Sequence, residues 1–232
     1  MNKVNYQKQL EDILRRLPEE NSGCHDPQAV PVTGKKKLLI HSCCAPCSSY
    51  CLEYLCRYFL ITVFYYNPNI SFSEEYRKRV AEQKRLIAAY NKEEKGWPID
   101  IVEGDYEPER FYEMARGMEE EKEGGERCFR CYELRLREAA EIAKSLGMDY
   151  FTTTLSISPL KNAEKLNEIG DALAEEYGVA YLNSDFKKKN GYKRSVELSG
   201  QYGMYRQYYC GCVFSKRERD AQIAAKAAAQ GI

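Results

Sequence analysis

Apolar runs alternate with amphipathic stretches from Lys35 onward, and this alternation predicts strands and helices in turn. Buried strands are predicted over residues 35–43, 61–67, 99–105, 150–155 and 179–185. Helical periodicity predicts helices over Ser48–Tyr58, Phe72–Tyr90, Pro108–Gly117, Cys131–Leu146 and Asn162–Tyr177. The pattern indicates an α/β fold with a mostly parallel five-stranded sheet and helices on both faces.

The charges balance overall but are unevenly distributed. The 232 residues include 35 Lys and Arg and 35 Asp and Glu, so the formal net charge is zero. Residues 92–126 hold 13 acidic and 5 basic side chains, whereas residues 184–232 hold 10 basic and 4 acidic ones. Bulk charge therefore gives no sign of nucleic-acid binding, but a local basic face is expected near the C-terminus.

Neither membrane insertion nor export is expected. No apolar run approaches the roughly 20 residues that span a bilayer. The N-terminal sequence MNKVNYQKQLEDILRRL is charged throughout and lacks the apolar core of a secretory signal. A cytoplasmic location is predicted, and the 44% hydrophobic content disfavours disorder.

Ten cysteines are unusual for such a chain, because thiols stay reduced in the cytoplasm and close spacing there favours metal or redox chemistry. Cys51 and Cys56 are interpreted as small core residues, and Cys24 as a linker residue without special chemistry. The other seven fall into three clusters: Cys43, Cys44 and Cys47; Cys128 and Cys131; Cys210 and Cys212. These clusters are the candidate chemistry of the chain.

The predicted strands place polar and thiol groups at one edge of the sheet. Ligands of parallel sheets bind beyond the carboxyl ends of the strands. The first strand leads to the first cysteine cluster, and the third and fifth lead to Asp105 and Asp185. The fourth strand leads to Ser156 and Ser158. We therefore expect a site at this edge.

The other two clusters add their own geometry. Cys128 and Cys131 lead into a helix at a spacing of three, so both sulfurs can face one way and the helix N-terminus is expected to favour their thiolates. The glycine between Cys210 and Cys212 permits a tight backbone turn around a bound atom.

Seven thiols exceed what one metal site needs. Four thiolates complete a zinc or iron–sulfur site, and the surplus suggests a second metal, a redox disulfide, or both. With only two histidines a histidine-rich zinc site is excluded. His41 is expected to make a structural hydrogen bond to a neighbouring carbonyl rather than to bind metal. Thiolates without imidazoles favour iron–sulfur or zinc.

Residues 185–212 interleave cations with tyrosines, a combination that suits a nucleotide and its backbone. A solvated basic face with tyrosines packed beneath it explains the pattern equally well. The candidate substrate-binding residues here are Lys187, Lys188, Tyr192, Arg194, Tyr205 and Arg206.

Four motifs in order, HSCCAPCS, CFRCYELRL, DFKKKNGYKRSVELS and YRQYYCGCVFS, resemble the cobalamin-independent epoxyqueuosine reductases of the QueH type from about Lys36 to Ser215. The resemblance implies an oxidoreductase that reduces the epoxide of epoxyqueuosine at the tRNA wobble position to give queuosine. It further implies a [4Fe–4S] cluster on a Rossmann-like scaffold related to the PP-loop (HUP) enzymes. The implied partners are tRNA carrying epoxyqueuosine and an unidentified electron donor, and the oligomeric state is left open.

The resemblance also implies roles for residues. Its cluster-binding set corresponds to Cys43, Cys44, Cys128 and Cys131. Cys210 and Cys212 correspond to a pair that is either a redox disulfide or involved at a second metal, a mononuclear iron or another divalent ion. Cys47 stands where some relatives have Asp, so thiolate would replace carboxylate at that metal. For protons or substrate hydroxyls, the candidates are Asp105, Asp185, Tyr192 and Arg206.

Three regions follow from this comparison. Residues 1–34 are expected to be an N-terminal extension and linker, with an amphipathic stretch over Tyr6–Leu17. Residues 35–215 are expected to form the metal-binding catalytic domain, which includes the basic segment 185–212, and residues 216–232 a helical tail.

Other functions remain as alternatives. An iron–sulfur-dependent tRNA thiolation enzyme would share scaffold and substrate, but it needs a glycine-rich phosphate cradle where this chain has HSCCAPCS. A non-catalytic, zinc-stabilised RNA-binding protein would explain the thiols and the basic tail. A thioredoxin-like oxidoreductase is disfavoured because Cys128 and Cys131 follow an acidic Gly-Gly loop rather than a strand.

Overall fold

The structure, a computed structural model, describes residues 4–17 and 35–229, and within them it contains a five-stranded, wholly parallel sheet. The strand order is β3-β2-β1-β4-β5. The strands are β1 (Lys37–His41), β2 (Leu60–Tyr65), β3 (Asp100–Glu103), β4 (Tyr150–Thr153) and β5 (Ala180–Tyr181). The predicted α/β fold is confirmed.

Helices cover both faces of the sheet, as predicted. They are α1 (Tyr6–Arg16), α2 (Ala45–Leu55), α3 (Ser73–Lys92), α4 (Pro108–Ala115), α5 (Glu126–Ser145), α6 (Ala163–Tyr177), α7 (Gly191–Gln201) and α8 (Val213–Ala229). Successive side chains of β1 point to opposite faces. Leu38 and Ile40 pack with buried residues of α2 and α3, whereas Leu39 packs with those of α5 and α6.

Several element boundaries differ from the predictions. Helix α2 begins three residues early, at Ala45, because Pro46 fits a first helical turn, where its missing N–H costs no hydrogen bond. Helix α5 begins at Glu126, five residues before the predicted start, so Cys128 as well as Cys131 lies inside it. Strand β5 is only two residues long. Helix α7 was not predicted, because its period is obscured by polar and glycine residues.

Helix α7 lies within the basic segment and approaches α2 closely. A Cβ atom added at Gly191, its first residue, would lie 1.9 Å from the carbonyl oxygen of Phe186 and 2.5 Å from the Tyr50 ring. Arg194 forms a bidentate ion pair with Glu53 of α2, at 2.8 and 2.9 Å. The basic segment is therefore fixed against the sheet domain.

Helix α1 contributes to the same core although it precedes residue 35. Leu10 and Leu14 are buried in the cluster that contains Leu38 and Ile40. Lys189, before α7, forms an ion pair with Glu11. The amphipathic stretch is thus a helix packed on the domain, while the boundary at residue 34 stays a prediction.

The C-terminal region is helical, as predicted, and α8 starts at Val213, slightly before the predicted tail. Within residues 4–17 and 35–229, no helix combines the length and apolar character that a membrane span requires.

The packing of α1 predicts that it stabilises the sheet domain. Leu10→Ala removes a fully buried side chain and is expected to lower the free energy of unfolding by about 2–5 kcal/mol. The control, Leu146→Ala at an exposed helix end, is expected to cost about 0.5 kcal/mol or less. Urea unfolding of both variants measures the difference, and equal midpoints would show that α1 does not belong to the core.

Candidate metal centre

The topology of the sheet creates a crevice between β1 and β4. The chain runs from β1 to β2 and β3 on one side, and continues to β4 and β5 on the other. Such a reversal leaves an opening beyond the carboxyl ends of the two central strands. A cavity of about 540 Å³ lies there, lined in part by Cys43, Cys44 and Cys47 after β1 and by Leu155 and Ser158 after β4.

The first cysteine cluster converges at this cavity. The sulfur atoms of Cys43, Cys44 and Cys47 all lie within 4.8 Å of one another. Cys44 caps the N-terminus of α2 in an extended conformation, and Cys47 lies in the first turn. A helix start after a strand thus turns three closely spaced side chains toward a single point, with a geometry that one metal site could use.

Mutual hydrogen bonds shift the pKa values of these three thiols in opposite directions. Contacts from Cys44 and Cys47, assisted by the charge of Arg135, hold the pKa of Cys43 well below its ordinary value. The contact with Cys43 raises the pKa of Cys44 to about 12, and the same contact raises that of Cys47. Cys43 is therefore the thiol that ionises most readily, and a bound metal would have to displace the protons of Cys44 and Cys47.

The other four clustered thiols line a smaller, inner cavity. Cys128 and Cys131 from α5 meet Cys210 and Cys212 there. Cys210 also lines the larger cavity, as do Lys161 and Glu123, so the two cavities adjoin. All seven thiols converge on one region. The four implied cluster ligands are divided, however, with Cys43 and Cys44 in the first group and the other two in the inner cavity.

The expectation that the N-terminus of α5 favours thiolates is wrong for the metal-free chain. Burial raises the pKa of Cys131 to about 12 and also raises the pKa of Cys128. Desolvation of these enclosed sulfurs outweighs the N–H groups of the helix start. Both thiols therefore keep their protons until a metal replaces them.

The turn at Cys210 and Cys212 depends on its glycine, as predicted. Gly211 has φ of 133°, and a Cβ atom there would lie 2.9 Å from Ile70. The buried guanidinium of Arg79 donates to the Cys210 carbonyl at 2.9 Å. The amide of Cys210 donates to the Ser215 hydroxyl at 3.1 Å. The contacts with Arg79 and Ser215 thus fix the position of this loop.

A buried cation faces the thiols. The Arg135 side chain is fully buried on α5 and donates to Asn67 Oδ1 at 2.5 Å. Among the residues that the structure describes, no carboxylate lies within 4.0 Å of it. The groups that face it include the thiols of Cys131, Cys210 and Cys43. An uncompensated buried charge costs several kcal/mol, and negatively charged thiolates at this site would compensate the guanidinium. Three convergent thiols and this guanidinium fit a thiolate-bound metal group.

Two of the predicted substrate-binding residues line the larger cavity. Tyr192 is 40% exposed at its wall. Arg206 lines the same cavity and donates to the Ser199 hydroxyl at 2.9 Å, which fixes its guanidinium. These two side chains can reach a molecule that enters it.

The other predicted site residues lie outside both cavities. Asp105 is exposed beyond β3, an edge strand. Asp185 forms an ion pair with Lys187 at 2.7 Å, and Lys188 is exposed beside it. Arg194 is engaged with Glu53, as described above.

Tyr205 also lies away from the cavities. Its hydroxyl donates to a carboxylate oxygen of Glu75 at 3.0 Å, and the Lys78 ammonium lies 3.5 Å from its ring centroid. Glu75 in turn accepts from Arg79 at 2.7 Å. Tyr205 therefore supports the loop that carries Cys210.

Sequence reasoning missed the charged groups around the thiols. Arg135 lies four residues after Cys131, on the same face of α5, and that spacing was a usable signal. Lys161 and Glu123 form a buried ion pair at 3.0 Å between the two cavities. They are distant in the chain and carry no recognisable spacing, so only the fold brings them together.

The remaining expectations concern His41 and the isolated cysteines. His41 Nε2 lies 3.0 Å from the carbonyl oxygen of Tyr66, and Nδ1 lies 2.9 Å from the Thr153 hydroxyl, so its structural role is confirmed. Cys51 and Cys56 are buried in the core, as predicted. Cys24 lies outside the described residues.

Comparison with known proteins decides the family. The family model described as "Epoxyqueuosine reductase QueH" matches residues 38–218. The chain belongs to the QueH family. A QueH-family relative from Staphylococcus epidermidis, named epoxyqueuosine reductase QueH, is 41% identical over 215 residues, which cover 92% of this chain and 85% of that protein.

Two further QueH-family proteins carry the same name. The one from Streptococcus pyogenes is 39% identical and covers 93% of this chain and 79% of its own length. The one from Thermotoga maritima is 36% identical and covers 82% of this chain and 96% of its own length. The resemblance drawn from the four motifs is thereby confirmed.

The burial of His41 predicts a pH dependence of stability. Burial, followed by the charge of Arg135, lowers the pKa of His41 from 6.5 to about 3. Between these values the unfolded chain binds a proton that the folded chain does not. Stability from this group is complete above pH 6.5 and falls by about 1.4 kcal/mol for each pH unit below it.

Urea unfolding of the metal-free, reduced protein between pH 7 and 5 measures this slope. His41→Asn removes the titrating group and is expected to flatten the slope by that amount, whatever its effect at pH 7. Equal slopes in the two proteins would contradict the assignment.

Proposed function

We propose that this QueH-family chain is an epoxyqueuosine reductase, which converts the epoxide of epoxyqueuosine at the wobble position of tRNA into the cyclopentene of queuosine. The observation that carries the proposal is the convergence of seven thiols on two adjoining cavities at the strand-reversal point of the sheet. The family membership of the chain supports the same activity.

The thiols would hold the metal groups. Following the resemblance, we assign a [4Fe–4S] cluster to Cys43, Cys44, Cys128 and Cys131. Cys47, Cys210 and Cys212 are then available to a second metal, a mononuclear iron or another divalent ion; alternatively, the last two act as a redox dithiol. When bound, these groups supply single electrons and a Lewis acid.

The overall reaction defines what the protein must provide. One oxygen leaves the substrate as water, two electrons and two protons are taken up, and a carbon–carbon double bond forms. The electrons come from a donor outside the chain. The larger cavity, about 540 Å³, has room for a modified base and its cyclopentane ring.

The chain's own side chains bind the substrate and move protons. Tyr192 has a phenol at the cavity wall that can donate to the epoxide oxygen, and Arg206 can bind the adjacent hydroxyls. The Lys161 ammonium, buried against Glu123 between the cavities, stabilises negative charge that develops on the departing oxygen. Asp105 and Asp185 lie outside both cavities, so we assign them no role in this step.

Metal content and turnover together test the proposal. Protein prepared without oxygen is expected to contain about four or more irons per chain with matching sulfide, and to reduce RNA carrying epoxyqueuosine in the presence of a chemical reductant. Protein that binds only zinc, or that turns over without metal, would overturn the proposal.

Matched cysteine variants distinguish the thiols that bind the cluster from those that are needed only for turnover. Cys43→Ala is expected to lose iron and to lower turnover by at least about 100-fold, since ligand loss costs no less than loss of a supporting group. Cys210→Ser is expected to lose turnover while keeping most of the cluster iron. Cys51→Ala, on the same helix as Cys47 but in the core, should retain both. Loss of the cluster in Cys210→Ser would place that thiol among the cluster ligands.

A further inference from the structure

One wall of the larger cavity is formed by the C-terminal helix. Arg219, Gln222, Ile223 and Lys226 of α8 line it. Their spacing of three, one and three residues places them on one face of the helix. All four lie beyond residue 218, where the match to the family model ends.

This helix face is open to solvent. Across the described length of α8, Ser215 alone is buried. Ile223 is 56% exposed, and three other large side chains of the cavity lining are similarly open: Leu160 at 53%, Tyr208 at 51% and Tyr192 at 40%. Exposed apolar and aromatic groups that surround one opening mark a binding surface.

The charge around the opening is positive. The cations in the cavity lining are Lys161, Arg206, Arg219 and Lys226, and among the described lining residues Glu123 is the single carboxylate. Glu123 pairs with Lys161 at 3.0 Å and with Arg219 at 3.7 Å, so Arg206 and Lys226 are the lining cations without a carboxylate partner among the described residues. Cations beside exposed tyrosines suit RNA, because the cations can bind its phosphates and the tyrosine rings can stack on its unpaired bases.

The first half of α8 is attached firmly enough to hold this face in place. The Tyr208 hydroxyl donates to Asp220 Oδ1 at 3.0 Å, and the Glu123 amide donates to Glu218 Oε2 at 3.1 Å. The guanidinium carbon of Arg127 lies 4.4 Å from the ring centroid of Phe214. The outer half, which carries Ile223 and Lys226, continues from this anchored base as a helical arm.

We infer that this face of α8 is an RNA-binding surface that contacts the backbone beside the modified nucleotide. Lys226 binds a phosphate, Tyr208 stacks on a neighbouring base, and the nucleotide to be reduced enters the cavity. The inference rests on the proposed function for its choice of tRNA as the ligand. It adds a contact surface outside the segment that matches the family model.

Binding of a fluorescently labelled anticodon stem-loop RNA tests the inference. Lys226→Glu reverses one exposed charge at the rim and is expected to raise Kd by about 5- to 10-fold and to reduce the salt dependence of log Kd by about one. The matched control is Lys144→Glu, an equal charge change at the C-terminal end of α5, which lies at the opposite edge of the sheet from the cavity.

Turnover on the same RNA carrying epoxyqueuosine separates the two proposals. Lys226→Glu is expected to raise KM with kcat unchanged, because its contact is with the RNA backbone rather than with the epoxide. If wild type reduces the RNA but Lys226→Glu and Lys144→Glu bind it equally, the surface is not an RNA contact and the inference fails. If wild type binds the RNA but does not reduce it, the proposed function fails while the binding comparison still decides the inference.

Discussion

A buried guanidinium with no carboxylate partner in residues 4–17 and 35–229 sets the electrostatics of the thiol site. Arg135 is buried on α5, where it donates to Asn67 and His41 and faces cysteine thiols. Keeping a charge in such a place costs several kcal/mol unless anions compensate it. Thiolates bound to a metal supply that compensation, whereas neutral thiols do not. The same charge also helps to lower the pKa of Cys43 and to keep His41 neutral.

The parallel sheet makes this arrangement possible by collecting distant segments at one edge. Cys43 follows the central strand β1, Cys131 lies in the first turns of α5, and Cys210 lies on a loop far along the chain. Each is held independently of metal, the last by Arg79 and Ser215. Because the scaffold positions the sulfurs, binding of the metal does not have to fold the site.

The α/β fold and the choice of the three cysteine clusters as the candidate site could be predicted from sequence, because both depend on local patterns. Strand–helix alternation indicates a parallel sheet, and cysteine spacing is visible in the letters alone. The strand order leaves no such mark, so the sequence did not show that Asp105 follows an edge strand, away from the cavities. The ion pair between Lys161 and Glu123 was not predicted for a similar reason. It is a tertiary contact between two charged residues that belong to no sequence motif.

The central claim is that the three cysteine clusters form one iron-containing centre beside Arg135. Anomalous scattering at the iron edge, from crystals grown without oxygen, tests it most directly. The account requires iron peaks bonded to sulfurs of Cys43 and Cys44 and to sulfurs from the inner cavity, within one contiguous group. Iron absent from both cavities, or bound to one group of thiols with the other left as free, protonated cysteines, would contradict it.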